Sequence, residues 1–169
     1  MKSNLPYRPI LRLPKSKFEK IIDGLGILLF AAANVYLIVS WGDIPSRVPA
    51  HFNGAGEVNR WGSKYEMLIL PIIGLFLFVL MSLLEKAPHM HNYPSRINES
   101  NAEQFYLHSR KLANLIKNIC LVMFAYIIVQ MVRVSLGEID SLSIWGVAIL
   151  ILVMFASIGV GLYKQTKIK

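Results

Sequence analysis

Residues 67–84 read MLILPIIGLFLFVLMSLL, eighteen consecutive positions without a charged side chain. A helix rises about 1.5 Å per residue, so such a run covers most of a hydrocarbon core about 30 Å thick. Pro71 falls in the first turns of the run, where a lost amide donor is best tolerated. A buried helix of a soluble domain would alternate polar and apolar faces and stop sooner. This segment reads as a membrane span.

Three more runs repeat the pattern. Residues 21–41 are interrupted by Asp23 near the start and Asn34 inside, and residues 112–132 and 142–163 follow further on. The chain of 169 residues is 54% hydrophobic and 17% charged, with a mean hydropathy of +0.48. A soluble domain is about one quarter charged, so too few charges remain to wet a full surface. The expected fold is an all-α integral membrane protein, a four-transmembrane-helix bundle over residues 21–163. A basic leader occupies 1–20 and a basic tail 164–169. No small-residue cleavage site follows the first apolar block, which is expected to be a retained helix and not a cleaved signal peptide.

Orientation follows from the cations in the connecting segments. The leader carries Lys2, Arg8, Arg12, Lys15, Lys17 and Lys20; the 85–111 connection carries Lys86, Arg96, Arg110 and Lys111; the tail carries Lys164, Lys167 and Lys169. Opposite them stand Arg47, Arg60, Lys64 and Arg133. Thirteen against four places both termini and the middle connection in the cytoplasm, with residues 42–64 facing outward from a cell membrane. The formal net charge of +8 then belongs to lysines and arginines beside anionic headgroups, at about 1 kcal/mol each, and no nucleic-acid partner is expected. Lys117 is expected to snorkel to those headgroups, and Asp23 to be hydrated at the same boundary.

The outward loop is the most distinctive segment. Pro45 and Pro49 impose extended backbone, while Asn53-Gly54 and Gly56 offer positive φ for a tight reversal. Residues 51–53 and 57–59 would then pair as short strands. Trp41 and Trp61 flank the loop, as indoles do at membrane interfaces. On the other side, Ser100-Asn101-Ala102-Glu103 fits a capping box opening one long helix that enters the membrane near Lys111. Asn92-Tyr93-Pro94 reads as a turn, because the residue before a proline avoids the helical region.

These residues carry a resemblance. Pro45, Val48, Pro49, His51, Phe52, Asn53, Gly56, Trp61, Gly62, Ser63 and Lys64 form an extended Pro–Val–Pro–x–His–Phe–Asn segment, a glycine turn and a Trp–Gly–Ser–Lys close. This resembles the hallmark of a bacterial membrane protein family of unknown function, similar in turn to the N-terminal domain of SdpI-type immunity proteins. Asn92, Tyr93, Pro94, Asn101, Ala102, Glu103, Tyr106 and Arg110 resemble the family's middle segment. The resemblance covers roughly residues 28–132. It implies a helical membrane protein that protects a producing cell from a peptide toxin. SdpI-type proteins extend through more C-terminal helices, whereas this chain has one further span.

Two candidate patches follow. The outer one comprises Pro45, Pro49, His51, Phe52, Asn53, Gly56, Glu57, Trp61, Gly62, Ser63 and Lys64; the cytoplasmic one comprises Asn92, Tyr93, Pro94, Asn101, Glu103, Tyr106 and Arg110. His51 has Glu57, Asp43 and Asn53 within reach, but zinc needs three or four convergent ligands and one histidine lies on this side, so hydrogen bonding is the expected role. His89, His91 and His108 form a second, weaker cluster. Lone Cys120 provides neither a disulfide nor a cysteine zinc site. Asn34, Asn114 and Gln130 are expected to act as packing glue, and Ser157 with Gly161 forms a small-residue pair suited to helix contact within a chain or in a homo-oligomer.

Catalytic motifs, phosphate-binding glycine loops and paired carboxylates inside one span are all absent from the sequence. The expected function is therefore non-catalytic and cofactor-free: immunity or envelope-stress protection, with the outer loop meeting a membrane-active peptide or a membrane protein partner. A receptor holding a soluble repressor is the first alternative, and a metal-dependent membrane enzyme or small transporter the second.

Overall fold

The structure is a computed structural model that describes residues 8–169; Lys2 of the leader lies outside the described residues. Among the described residues four helices are long and apolar enough to cross a membrane: α1 (Lys17–Val39), α2 (Ile69–Lys86, extended by a 3-10 turn at Lys64–Leu68), α3 (Ala102–Ser135) and α4 (Ile144–Thr166). The protein is a multi-pass helical membrane protein, with a lipid bilayer as its environment. The bounds of α1, α2 and α4 differ from the apolar runs by a few residues, α3 starts ten residues before its run, and two of the starts are set by capping and not by hydropathy. α1 begins four residues early: Ser16 and Glu19 form a capping box, the Ser16 amide donating to the Glu19 carboxylate at 2.8 Å. A second box, Ser63 with Glu66, opens the turn before α2.

α3 spans 34 residues, about 51 Å at the helical rise, and so extends well beyond the hydrocarbon core. Half of its membrane window is buried inside the chain, against 17%, 11% and 6% for α1, α2 and α4. It is the post around which the other three stand. The capping box expected at Ser100 and Glu103 does not form. Asn98 Oδ1 accepts both the Ser100 amide (2.9 Å) and its hydroxyl (2.7 Å), Glu103 is exposed, and Asn101 becomes the N-cap. Asn101 instead ties chain segments together, accepting from the Asn98 amide and donating to the Arg96 and Lys169 carbonyls.

Between α1 and α2 the connecting loop folds as an antiparallel hairpin of β1 (Arg47–Phe52) and β2 (Val58–Ser63). Pro49 stands opposite Trp61, and the ladder is irregular on either side of His51, as expected where a residue lacks an amide donor. Gly56 has the predicted positive φ, at 83°, but Gly54 and Asn53 do not. One left-handed residue suffices because Asn53 Oδ1 accepts the amides of Ala55 (2.9 Å) and Glu57 (3.0 Å), making the reversal by a side-chain bond.

The main apolar core lies at the hairpin end of the bundle. Val48 of β1 is fully buried there among Ala33, Leu37, Met67, Ile128 and Val132. A second cluster at the opposite, leader end joins Tyr93, Ile97, Ala102, Phe105 and Tyr106, with Leu11, Leu13 and Ile168 packed on it. The leader, the middle connection and the tail are thereby woven into one cap, with Arg96 donating to the Gln165 carbonyl at 2.7 Å and Arg8 to the His91 carbonyl at 3.0 Å.

Candidate functional site

Most of the outer candidate residues build the hairpin. Lys64 places its ammonium 4.7 Å from the centre of the Trp41 ring and donates to the carbonyls of Trp41 and Ile44 (3.0 Å to the latter), closing the turn that follows α1. A Cβ at Gly62 would meet Glu66 Oε1 at 2.1 Å and Ala50 Cβ at 2.8 Å. Ser63 caps the turn before α2, Pro49 is buried, and Asn53 donates to the Glu57 carboxylate at 2.8 Å. Gly56 is the docking point: its carbonyl accepts the Leu142 amide at 2.9 Å, joining the hairpin tip to the α3–α4 loop.

Pro45, His51, Glu57 and Trp61 remain exposed, while Phe52 is half-buried against the core. His51 bonds to Asn59 through Nδ1 at 2.6 Å, and Asp43 and Glu57 are not gathered round it. Among the described residues no group of three or more metal-ligating side chains forms. Beneath the hairpin lies a cleft of about 580 Å³ between α2 and α4. Its walls include Ile69, Leu70, Val147 and Ile151, and its rim includes His51, Arg60 and Glu66. Arg60 donates to Glu66 at 2.8 Å, and this carboxylate holds the exposed guanidinium firmly protonated. The arrangement presents an apolar slot under a polar lip.

The leader-end candidates divide differently. Tyr93 and Tyr106 are buried in the aromatic cluster, with ring centres 5.3 Å apart, whereas Asn92 and Glu103 are exposed and Pro94 is half-buried. Tyr93 donates its hydroxyl to the Pro88 carbonyl at 2.8 Å, and burial pushes its pKa up to about 12. Folding thus favours the neutral phenol. That contribution is fully present below about pH 10, where the unfolded phenol is also neutral, and is lost as pH rises through about 12. Tyrosinate absorbance at high pH should lose a late-ionising phenol in Tyr93→Phe; an unchanged titration in that variant would contradict the burial. His91 bridges the Leu84 carbonyl (3.0 Å) and Ser109, and His108 Nε2 donates to the Gly161 carbonyl at 2.8 Å. These histidines tie elements together.

The sequence reading missed a buried ionic network inside the leader half of the bundle. Lys117, expected to snorkel, is instead 1% exposed. Its ammonium stands 2.9 Å from Asp23 of α1 and 2.7 Å from Glu85 of α2. Lys15 contacts the same two carboxylates, 2.6 Å from Asp23. Burial disfavours the Lys15 charge, but the hydrogen bonds and charges of Asp23 and Glu85 outweigh it and hold the ammonium above its ordinary range. Asn114 and Asn118 donate to Asp23, each at 2.8 Å, and Asn114 also reaches Glu85 at 3.2 Å. A Cβ at Gly26 would lie 2.3 Å from Asn118 Oδ1, so only glycine lets α1 approach this closely.

One turn nearer the leader, Arg110 grips Glu19 with two bonds of 3.0 and 3.1 Å and also donates to the Leu13 carbonyl. Arg110 is thus a helix clamp and not a surface contact. Both ion clusters are neutral in sum, as buried charge must be. The sequence does contain a signal for them. Glu19, Asp23 and Gly26 fall at i, i+4 and i+7 on α1, and Arg110, Asn114 and Lys117 repeat that spacing on α3, which are two complementary stripes.

Two other polar residues in the spans, Asn34 and Ser157, bond within their own helices and do not join one helix to another. Asn34 donates to its own helix at the Phe30 carbonyl, 2.7 Å away, and Ser157 likewise to Val153. Gly161 is buried against Leu112 of α3, so that half of the small-residue pair is used within the chain.

Residues 28–75 match the model of a family described as a domain of unknown function, DUF1648. The matched segment holds about half of α1, the whole hairpin and the start of α2, but none of Glu19, Asp23, Glu85, Arg110 or Lys117. An uncharacterized protein of Archaeoglobus fulgidus is 28% identical over 101 residues, covering 59% of this chain and 54% of its own length. The chain thus spans about half the length of this relative, which is archaeal and not bacterial. No solved structure matches the chain.

Proposed function

We propose that the protein is a non-catalytic, multi-pass protein of the cell membrane, its termini cytoplasmic and its hairpin outward, that protects the cell by capturing a membrane-active peptide. The observation that carries this reading is the cleft under the hairpin: apolar between α2 and α4, polar at His51, Arg60 and Glu66, and set at the hairpin end of the bundle. An amphipathic peptide laid at a membrane surface presents the matching pair of faces. The motif resemblance around His51 and Trp61 supports the same role. A non-catalytic reading is supported by His51 itself, whose Nδ1 bonds to an amide and not to a hydroxyl or thiol. Cytoplasmic termini are supported by the lysine and arginine excess at the leader end.

The test fills the cleft. Ala148 is an exposed, small lining residue, so Ala148→Trp should occupy the slot without disturbing the core. Cells expressing the protein should tolerate a higher dose of at least one peptide in a membrane-active panel. The purified protein in nanodiscs should bind that peptide saturably. Ala148→Trp should weaken binding about tenfold, equivalent to about 1.4 kcal/mol, and remove the protection. Equal sensitivity with and without the protein across the panel, with no saturable binding, would count decisively against this role.

A further inference from the structure

A second and larger cleft, about 740 Å³, opens at the leader end between α1 and α4 across the face of α3. Its polar end carries two exposed lysines, Lys111 and Lys164, beside Ser16. Neither lysine forms an ion pair among the described residues, and the one carboxylate reaching the cleft, Glu19, is held by Arg110. Apart from His108, Asn114 and Ser157 the remainder is apolar, with Phe18 and Ile22 on one wall and Val153 and Val160 on the other.

Dimensions indicate what fits. From Lys164 to Val153 the α4 wall runs eleven residues, about 16 Å at the helical rise. That is close to half of a 30 Å hydrocarbon core, the depth of one leaflet. We propose that this cleft is a specific site for an anionic phospholipid of the leader-side leaflet, its phosphate between Lys111 and Lys164 and one acyl chain along the α1–α4 groove. A zwitterionic lipid fills the groove equally but brings its own cation to the lysines. A soluble anion satisfies the lysines but leaves the groove empty. Basic pockets between membrane helices recognise anionic headgroups on this combination of grounds. The site is independent of the hairpin cleft, which lies at the other end of the bundle.

The experiment uses the full chain purified in detergent. Phosphatidylglycerol and phosphatidylcholine of identical acyl chains are compared by native mass spectrometry and by thermal unfolding. One retained phosphatidylglycerol per chain and a selective rise in Tm are expected. The double variant Lys111→Gln/Lys164→Gln should lose about tenfold or more of that preference, while Lys20→Gln, an exposed lysine outside the cleft, should keep it. Ala156→Trp, which fills the groove and leaves both lysines, should also abolish retention, and it decides the matter should the double variant fail to fold. Equal retention of the two lipids, an equal loss in Lys20→Gln, or competition by glycerol 3-phosphate at lipid concentrations would each overturn the proposal. So would a second copy of the chain taking the place of the lipid.

Discussion

Replacing Lys117 by methionine is expected to destabilise the bundle by about 3–5 kcal/mol, because it strands two carboxylates inside the protein. Methionine keeps most of the side-chain volume and apolar stem, so the loss reports the ammonium and not a cavity. Asp23 and Glu85 would then share Lys15, and one negative charge would remain without a partner. The side chains of Lys117 and Glu85 are each 1% exposed, so water offers little relief. For a chain of this size the expected fall in Tm in detergent is on the order of 10 °C. The double variant Lys117→Met/Glu85→Gln removes one charge of each sign and should recover much of the loss, which separates charge balance from packing. Lys20→Met, an exposed lysine on α1, should change little. Wild-type stability for Lys117→Met would show that these charges do not meet inside the bundle.

That network explains why the spans were easier to read than what joins them. A bilayer demands some twenty apolar residues from every crossing helix, and this demand is visible one segment at a time. Asp23, Glu85, Lys15 and Lys117 each lie near a span end, where one charge read alone is indistinguishable from a snorkelling one. Their meaning arises only when α1, α2 and α3 are set side by side, and no single-span periodicity states which helices touch. The matching i, i+4, i+7 stripes on α1 and α3 were the available clue. The cation count needs the same correction: Lys15 and Arg110, two of the thirteen, are spent on internal carboxylates. Lys111 and Lys164 are left free of ion pairs among the described residues.

The hairpin was legible as a turn between two short extended segments, and the structure bears this out with longer strands. The division of labour among its residues was not. Gly62, Ser63 and Lys64 stand beside Trp61 in one motif, yet they pack against Glu66, cap a turn and close the turn that follows α1. Those partners lie on other segments, so the sequence marked where the motif is without saying which of its members face outward.

Gly56→Ala should therefore do what few single substitutions can, releasing the hairpin while leaving the four helices in place. Two costs add at this position. Its φ of +83° is unfavourable for a residue with a Cβ, by roughly 1–2 kcal/mol. The added carbon would stand 2.0 Å from the Leu142 carbonyl oxygen, and backbone cannot swing aside as a side chain does, so overpacking contributes about another 1–3 kcal/mol. The Gly56–Leu142 bond breaks as the tip lifts. Gly54 supplies the control two residues away: its φ is not positive, and a Cβ there meets nothing within 4 Å. Amide exchange in Arg47–Phe52 and Val58–Ser63 should accelerate in Gly56→Ala and stay unchanged in Gly54→Ala. Helix content by circular dichroism should match in both. If peptide protection depends on the cleft, it should disappear with Gly56→Ala and persist with Gly54→Ala. Protection surviving a released hairpin would move the site of capture elsewhere on the bundle.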